Sequence, residues 1–245
     1  MRLLLKLKAV NDFAYDYKYY HKLQGWLYSL LKNTFYKDLH DKKGEKYFCF
    51  SNIFPPPRTQ MDVIKENQIK NLLISSPNNN LIHVLWKKIK KTNFLNIGEM
   101  HFLLENITKI TTQINDNIII DTKTPILLRT KNNQYWNPKK GDDFAPFLLS
   151  LEENLRKKYE KFYGIKLKEE PFFENFKFID SVVNHLILNK KEAKVYGSLW
   201  NFGFTSLTRT QKELLRFSFD AGFGERNSYG FGFVDTRQNK QGVVS

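Results

Sequence analysis

A chain of 245 residues is long enough for one large or two small domains, and its 41% hydrophobic content, with 21 Phe and 12 Tyr, is ample for packed cores. No unbroken apolar run approaches the ~18 residues that cross a bilayer. The opening MRLLLKLKAV is interrupted by Lys6 and Lys8 and lacks a small-residue cleavage site, so it reads as a strand of an intracellular, cytoplasmic protein with no membrane partner. The single cysteine, Cys49, excludes an internal disulfide and a thiolate zinc site, and no metal or cofactor is expected. Lys plus Arg number 39 against 25 Asp plus Glu, and the resulting charge of +14 favours a polyanionic partner. A bias toward Lys, Asn and Ile inflates the lysines but does not explain the shortage of acids.

In chain order, residues 2–10 alternate as a strand, 17–33 carry a helical stripe and 47–53 alternate again. The triple proline at 55–57 ends that strand in an extended loop, because proline cannot donate to a ladder. A strand is predicted over 71–75, a helix over 76–90 with Leu81, Val84, Leu85 and Ile89 on one side, and a long strand over 97–110. The second half repeats the order: a strand at 125–129, a helix at 144–163, strands near 176–188 and 193–204, a helix at 209–221 and a last strand at 229–235. Thr210 and Glu213 stand at capping-box spacing, and Gly222 stands where a left-handed residue closes a helix. The class is therefore α+β, as two tandem ferredoxin-like (RRM-like, βαββαβ) domains over 1–118 and 119–245.

Three groups of residues could carry chemistry. On the first helix, Leu23, Trp26, Leu27, Leu30 and Leu31 fix the core side, so His21, Gly25, Tyr28 and Lys32 cluster opposite it, where a phosphate backbone could approach. The following loop holds His40 with Lys42, Lys43 and Lys46 around Gly44. Histidine exchanges a proton near neutrality and lysines neutralise charge building on a phosphate, which are the two requirements of metal-free RNA cleavage. Residues 222–232, GFGERNSYGFG, place Gly222, Gly224, Gly230 and Gly232 around Arg226. Such spacing permits close backbone approach, so amides could meet a phosphate with Arg226 as charged partner, or the glycines could simply cap a helix and turn a hairpin. The segment lacks the Gly-Lys-Ser or Gly-Lys-Thr ending of a nucleotide P-loop. His83, His101 and His185 show no metalloenzyme spacing, and Cys49 reads as a small buried residue.

Taken together, Met1-Arg2-Leu3, the helix Leu23-Gln24-Gly25-Trp26-Leu27-Tyr28, the Leu39-His40 loop with Lys46, and the terminal GFGERNSYGFG make the chain resemble the CRISPR-associated repeat-processing endoribonucleases, the Cas-six family. The resemblance implies two ferredoxin-like domains, with the catalytic residues in the first and the Gly-rich loop in the second. It also implies metal-free cleavage of precursor CRISPR RNA within its repeats by ribose 2′-hydroxyl attack, leaving 5′-hydroxyl and 2′,3′-cyclic phosphate ends. By the same resemblance His40 transfers protons, Lys46 stabilises the phosphorane and Tyr28 orients or protonates a reacting oxygen. Tyr47, Lys42 and His21 are close enough to share in the work. The partner is repeat RNA, with the chain acting alone, as a homodimer or in a CRISPR effector complex. The alternative is a non-catalytic RNA-binding scaffold subunit of such a complex, while a DNA-binding regulator lacks any helix-turn-helix or zinc-finger spacing.

Overall fold

The structure is a computed structural model describing residues 1–55, 63–188 and 191–237. In chain order the first half holds β1 (Arg2–Ala9), β2 (Phe13–Ala14), α1 (Tyr20–Leu31), β3 (Cys49–Phe50), β4 (Val63–Ile64), β5 (Ile69–Ser75), α2 (Asn79–Lys91), β6 (Phe94–Ile97) and β7 (Met100–Ile110). The second half holds β8 (Ile118–Thr122), α3 (Ala145–Tyr163), β9 (Asn175–Leu188), β10 (Lys191–Phe204), α4 (Arg209–Ala221) and β11 (Val234–Thr236). Among the described residues no helix is long and apolar enough to cross a membrane.

The alternation of β1 dictates its surroundings. Leu3, Leu5, Leu7 and Ala9 are buried in one core with Leu23, Leu27 and Leu31 of α1 and Leu81, Ile82, Leu85 and Ile89 of α2. The strand sits at the centre of an antiparallel sheet ordered β3-β5-β1-β7-β6, with Leu3 opposite both Ile74 and Lys109. The second sheet is ordered β11-β8-β10-β9. Setting aside the hairpin strand β6, both sheets run fourth-first-third-second, so the chain is two tandem ferredoxin-like units.

The other face of β1 meets the second half. Arg2 is fully buried there, donating to Phe219 O (2.8 Å), Val234 O (2.8 Å) and Asp235 Oδ1 (3.1 Å). Its guanidinium lies over the rings of Phe219 (4.9 Å) and Phe233 (4.7 Å). The terminal amine of Met1 pairs with Asp220 on the same α4. Beside Arg2, Cys49, Leu73 and Phe233 form a small apolar seam with Leu4 and Ile110. Burial there pushes the Cys49 thiol up to about 12, so it behaves as packing and not as a nucleophile.

Several element boundaries depart from the sequence-based expectation. The long strand expected over 97–110 begins at Met100, because the chain reverses at Gly98 and Ile97 closes the preceding strand β6, which pairs back on β7. Of residues 47–53 only Cys49–Phe50 form a strand, since Tyr47 adopts φ +52° and breaks the extension. The first strand of the second unit is β8, not 125–129, where Ile126 and Leu127 make only isolated bridges to Ser198 and Glu225. The capping box of α4 uses Thr208 and Gln211, not Thr210 and Glu213. Residues 229–231 are not strand: a 3₁₀ turn at Asn227–Tyr229 precedes the short β11. Of the triple proline, Pro56 and Pro57 lie outside the described residues.

Removing one partner from a buried ion pair strands the other. Arg2→Ala is therefore expected to lower unfolding free energy by about 3–5 kcal/mol, measured by urea denaturation. A loss under about 1 kcal/mol, the value of an exposed pair, would show that the two halves are not joined through this guanidinium.

Candidate active site

Burial of Leu23, Leu27 and Leu31 turns Tyr28 to the flank of α1. There its ring stands edge-on to Phe48 (5.7 Å between centroids, 82°) and to His40 (4.9 Å, 89°). A 3₁₀ turn at Lys37–Leu39 delivers His40, whose side chain is 67% exposed, with Nδ1 2.6 Å from Oδ1 of Asp41. When Nδ1–H donates to that carboxylate, Nε2 is left free to accept or donate a proton outside the protein.

Lys46 folds back over its own loop, its Nζ donating to His40 O (3.0 Å) and to Lys42 O. Two of the three ammonium hydrogens are used, and the third remains for an anion. Partial burial lowers the Lys46 pKa, Asp41 opposes that and Lys42 adds to it. Burial pushes the Tyr28 phenol up to about 12, against the lowering influence of the adjoining Ser228. At neutral pH Tyr28 is thus a hydroxyl that can donate a hydrogen bond, and not a base.

Ser228 comes from the Gly-rich segment, and the reason it reaches this site is Lys158. This lysine of α3 is fully buried and donates to Gly222 O (2.5 Å), Gly224 O (2.9 Å) and Asn227 Oδ1 (3.0 Å). Asn227 in turn donates to Phe223 O (3.0 Å) and Phe231 O (2.9 Å). The glycines are what let these groups converge. Gly224 (φ +67°) lies against the Leu127 carbonyl and Gly232 (φ +69°) against the Phe223 carbonyl, so a Cβ at either would overlap backbone.

This packing uses the glycines to bring backbone against the protein's own carbonyls. Gly222, Gly224, Gly230 and Gly232 are all buried. The amides of Gly222, Gly230 and Gly232 are bonded internally to Ser218 O, Asn227 O and Pro125 O, each at 2.8 Å. Arg226 is half-buried, with its guanidinium hydrogen-bonded to the Tyr135 side chain. It lies 5.7 Å from the Tyr229 ring and shares a cleft of about 510 Å³ with Lys42, Lys46, Arg129 and Ser228. A second cleft of about 840 Å³ lies on the other side of the 42–47 loop, bordered by Phe35, Tyr36, Asn78, Asn80 and Lys161.

The structure thus brings together Tyr28, His40, Lys46, the backbone of Lys42 and, across the smaller cleft, Arg226. Tyr47 is not gathered with the imidazole. Its ring packs on Phe162 (4.9 Å) and Phe217 (6.3 Å) of the second unit, and its buried hydroxyl has no hydrogen-bond partner. His21 is held to Lys18 O (2.9 Å) about two turns before Tyr28, roughly 10 Å along the axis. Lys32 and Lys43 are exposed, Lys32 at the end of α1. Sequence reasoning passed over Asp41, Ser228, Lys158 and Phe35, which is 94% exposed beside the larger cleft. Asp41 had a signal in its adjacency to His40. Lys158 had none, being one lysine among many in an amphipathic helix.

Residues 106–236 match the family profile described as CRISPR associated protein Cas6, C-terminal. The chain is 32% identical to CRISPR-associated endoribonuclease Cas6 2 of Methanocaldococcus jannaschii, over 96% of this chain and 99% of that protein. The chain belongs to the Cas6 family. It is also 25% identical to the CRISPR-associated endoribonuclease Cas6 of Haloferax mediterranei, over 95% of this chain and 92% of the relative. A solved structure titled CRISPR associated protein Cas6 superposes with a TM-score of 0.73 at 24% identity, covering 97% and 99% of the two chains. A Cas6 product complex (TTHB231) superposes at 0.63 and 15% identity, covering 96% and 99%. These likenesses agree with the tandem ferredoxin-like fold.

Burial lowers the Lys158 pKa from its ordinary 10.5 to about 8, with Glu45 and Glu225 pulling the other way. The folded chain therefore releases this proton near pH 8, whereas the unfolded chain holds it until about 10.5. In that window the unfolded state binds more protons, so stability from this group rises with pH and is lost as pH falls through 8. The unfolding free energy of this Cas6 chain minus that of Lys158→Met is expected to grow by up to about 3 kcal/mol between these limits. A flat difference across the window would contradict the buried ammonium.

Proposed function

We propose that this chain is an endoribonuclease that cuts precursor CRISPR RNA within its repeats without a metal ion. The observation that carries the reading is the imidazole of His40, exposed and gathered with the neutral phenol of Tyr28 and the ammonium of Lys46 beside two clefts that Lys42 and Lys46 both line. In the reaction, the ribose 2′-oxygen forms a bond to the adjacent phosphorus and the bond from phosphorus to the 5′-oxygen breaks. One proton leaves the 2′-hydroxyl and one reaches the departing 5′-oxygen, giving a 2′,3′-cyclic phosphate and a 5′-hydroxyl.

Each residue's chemistry suits one part of that sequence. His40, oriented by Asp41, takes the 2′ proton or supplies the 5′ proton. The remaining N–H of Lys46 meets the non-bridging oxygens as charge builds on them. Tyr28 is kept protonated by burial, so it donates to a reacting oxygen and does not abstract a proton. Phe35 offers an exposed ring face to a base, and Lys42, Lys46 and Arg226 bring positive charge to the smaller cleft, where Arg129 is paired with Glu225.

His40→Ala is expected to reduce cleavage of repeat RNA in excess EDTA by about 10²–10⁴-fold while binding stays within a few-fold, read by gel assays of cutting and retention. Unchanged cleavage would remove His40 from the reaction, and a wild-type chain that binds but never cuts would favour the scaffold alternative. Lys46→Ala is expected to slow the single-turnover rate by about 10²-fold with little change in affinity; an affinity loss with an unchanged rate would make Lys46 a binding residue only.

A further inference from the structure

On the helical face of the first unit, away from His40, stands a second cationic group that the site above does not use. Trp86 of α2 carries Lys109 Nζ at 4.3 Å and Lys90 Nζ at 5.1 Å from its ring centroid. The ring of His83 stacks on it at 6.1 Å and 19°, and Lys109 Nζ donates to His83 Nδ1 at 3.1 Å. Lys87 lies one turn beyond His83. His83, Lys87, Lys90 and Lys109 are all exposed, and among the described residues none of them is in an ion pair with a carboxylate.

Held ammoniums that repel one another cost side-chain entropy and Coulomb energy. An indole face compensates for only part of that. What would compensate for the rest is a chain of anions, with Trp86 and His83 offering ring surface between them. The position narrows the choice of polyanion. Asn80 borders the larger cleft beside the His40 loop, and His83 and Lys87 follow it at i+3 and i+7 on the same face of α2, a rise of about 10 Å.

We propose that His83, Trp86, Lys87, Lys90 and Lys109 form a distal RNA-binding site that holds the single-stranded segment leaving the larger cleft, beyond the nucleotides at the scissile phosphate. The inference rests on the reading of the His40 site as an RNA-cutting centre. It adds a track along α2 that lengthens the footprint and ties affinity to substrate length. Lys90 and Lys109 supply phosphate contacts, and Trp86 preorganises both ammoniums.

The test uses the full chain, Lys90→Glu/Lys109→Glu, and repeat RNA either trimmed close to the cut or extended by a single strand on each side in turn. Wild type is expected to bind one extended RNA roughly tenfold more tightly than the trimmed one. The double variant should lose that gain, with the salt slope for the extended RNA falling by about 0.7 per phosphate contact removed. Its binding and cutting of trimmed RNA should remain within about twofold. The proposal is overturned if neither extension strengthens wild-type binding, if the variant keeps the gain, or if trimmed RNA suffers equally. Wild type that neither binds nor cuts any of these RNAs would instead overturn the functional reading beneath it.

Discussion

The ammonium of Lys158 is the group around which the glycine-rich loop of the second unit is folded, where that loop meets Tyr20 and Phe50 of the first. It lies at the centre of a loop whose carbonyls of Gly222 and Gly224 and side chain of Asn227 all turn inward to it. Unpaired in hydrocarbon, such a charge would be prohibitive; with three acceptors it becomes a fixed point that few other side chains could replace. The inner surface of the loop is committed to Lys158 and Asn227, which leaves Tyr229 and Arg226 half-buried and Ser228 buried at its edge. These are the side chains that adjoin Tyr28 and line the smaller cleft. The position of the site thus follows from a buried lysine with no chemical part in it.

Arg2 does similar work at the other end of the interface. Its guanidinium is shared between β1 of the first sheet and α4 and β11 of the second. Planar, permanently charged and stacked between two phenylalanines, it holds the back of the two units together while the glycine loop shapes the front. Between them Tyr47 drives an aromatic ring from the 40–47 loop into the second unit's core against Phe162 and Phe217. The 40–47 loop is therefore anchored at its end by packing and closed at its start by Lys46, leaving His40 exposed but not adrift.

Much of this was legible from periodicity. The leucines of β1 and the stripe of α1 follow directly from periods of 2 and 3.6, but Tyr28, expected opposite that stripe, is half-buried beside it. The limits of legibility have physical causes. The long strand expected over 97–110 starts three residues late, because Gly98 and Glu99 form a tight turn after Ile97. Residues 118–122, with three Ile and a Thr, suit a strand better than 125–129, where Pro125 removes a donor, and the ladder runs through Ile118–Thr122. The glycine loop was recognisable as special, but spacing shows that backbone must come close to something without saying whether that is a phosphate or the protein's own carbonyls. Buried Lys158 and Arg2 were hidden in the general excess of basic residues, where only tertiary contact separates a structural cation from a solvated one.

The measurement that bears most directly on the account is the chemical identity of the ends made when wild-type protein cuts repeat RNA in excess chelator. The account predicts that cutting proceeds and that every product pair carries a 5′-hydroxyl and a 2′,3′-cyclic phosphate, since the nucleophile is the substrate's own ribose. A 5′-phosphate with a free 3′-hydroxyl, or cutting that stops in chelator and returns with added divalent ion, would contradict it.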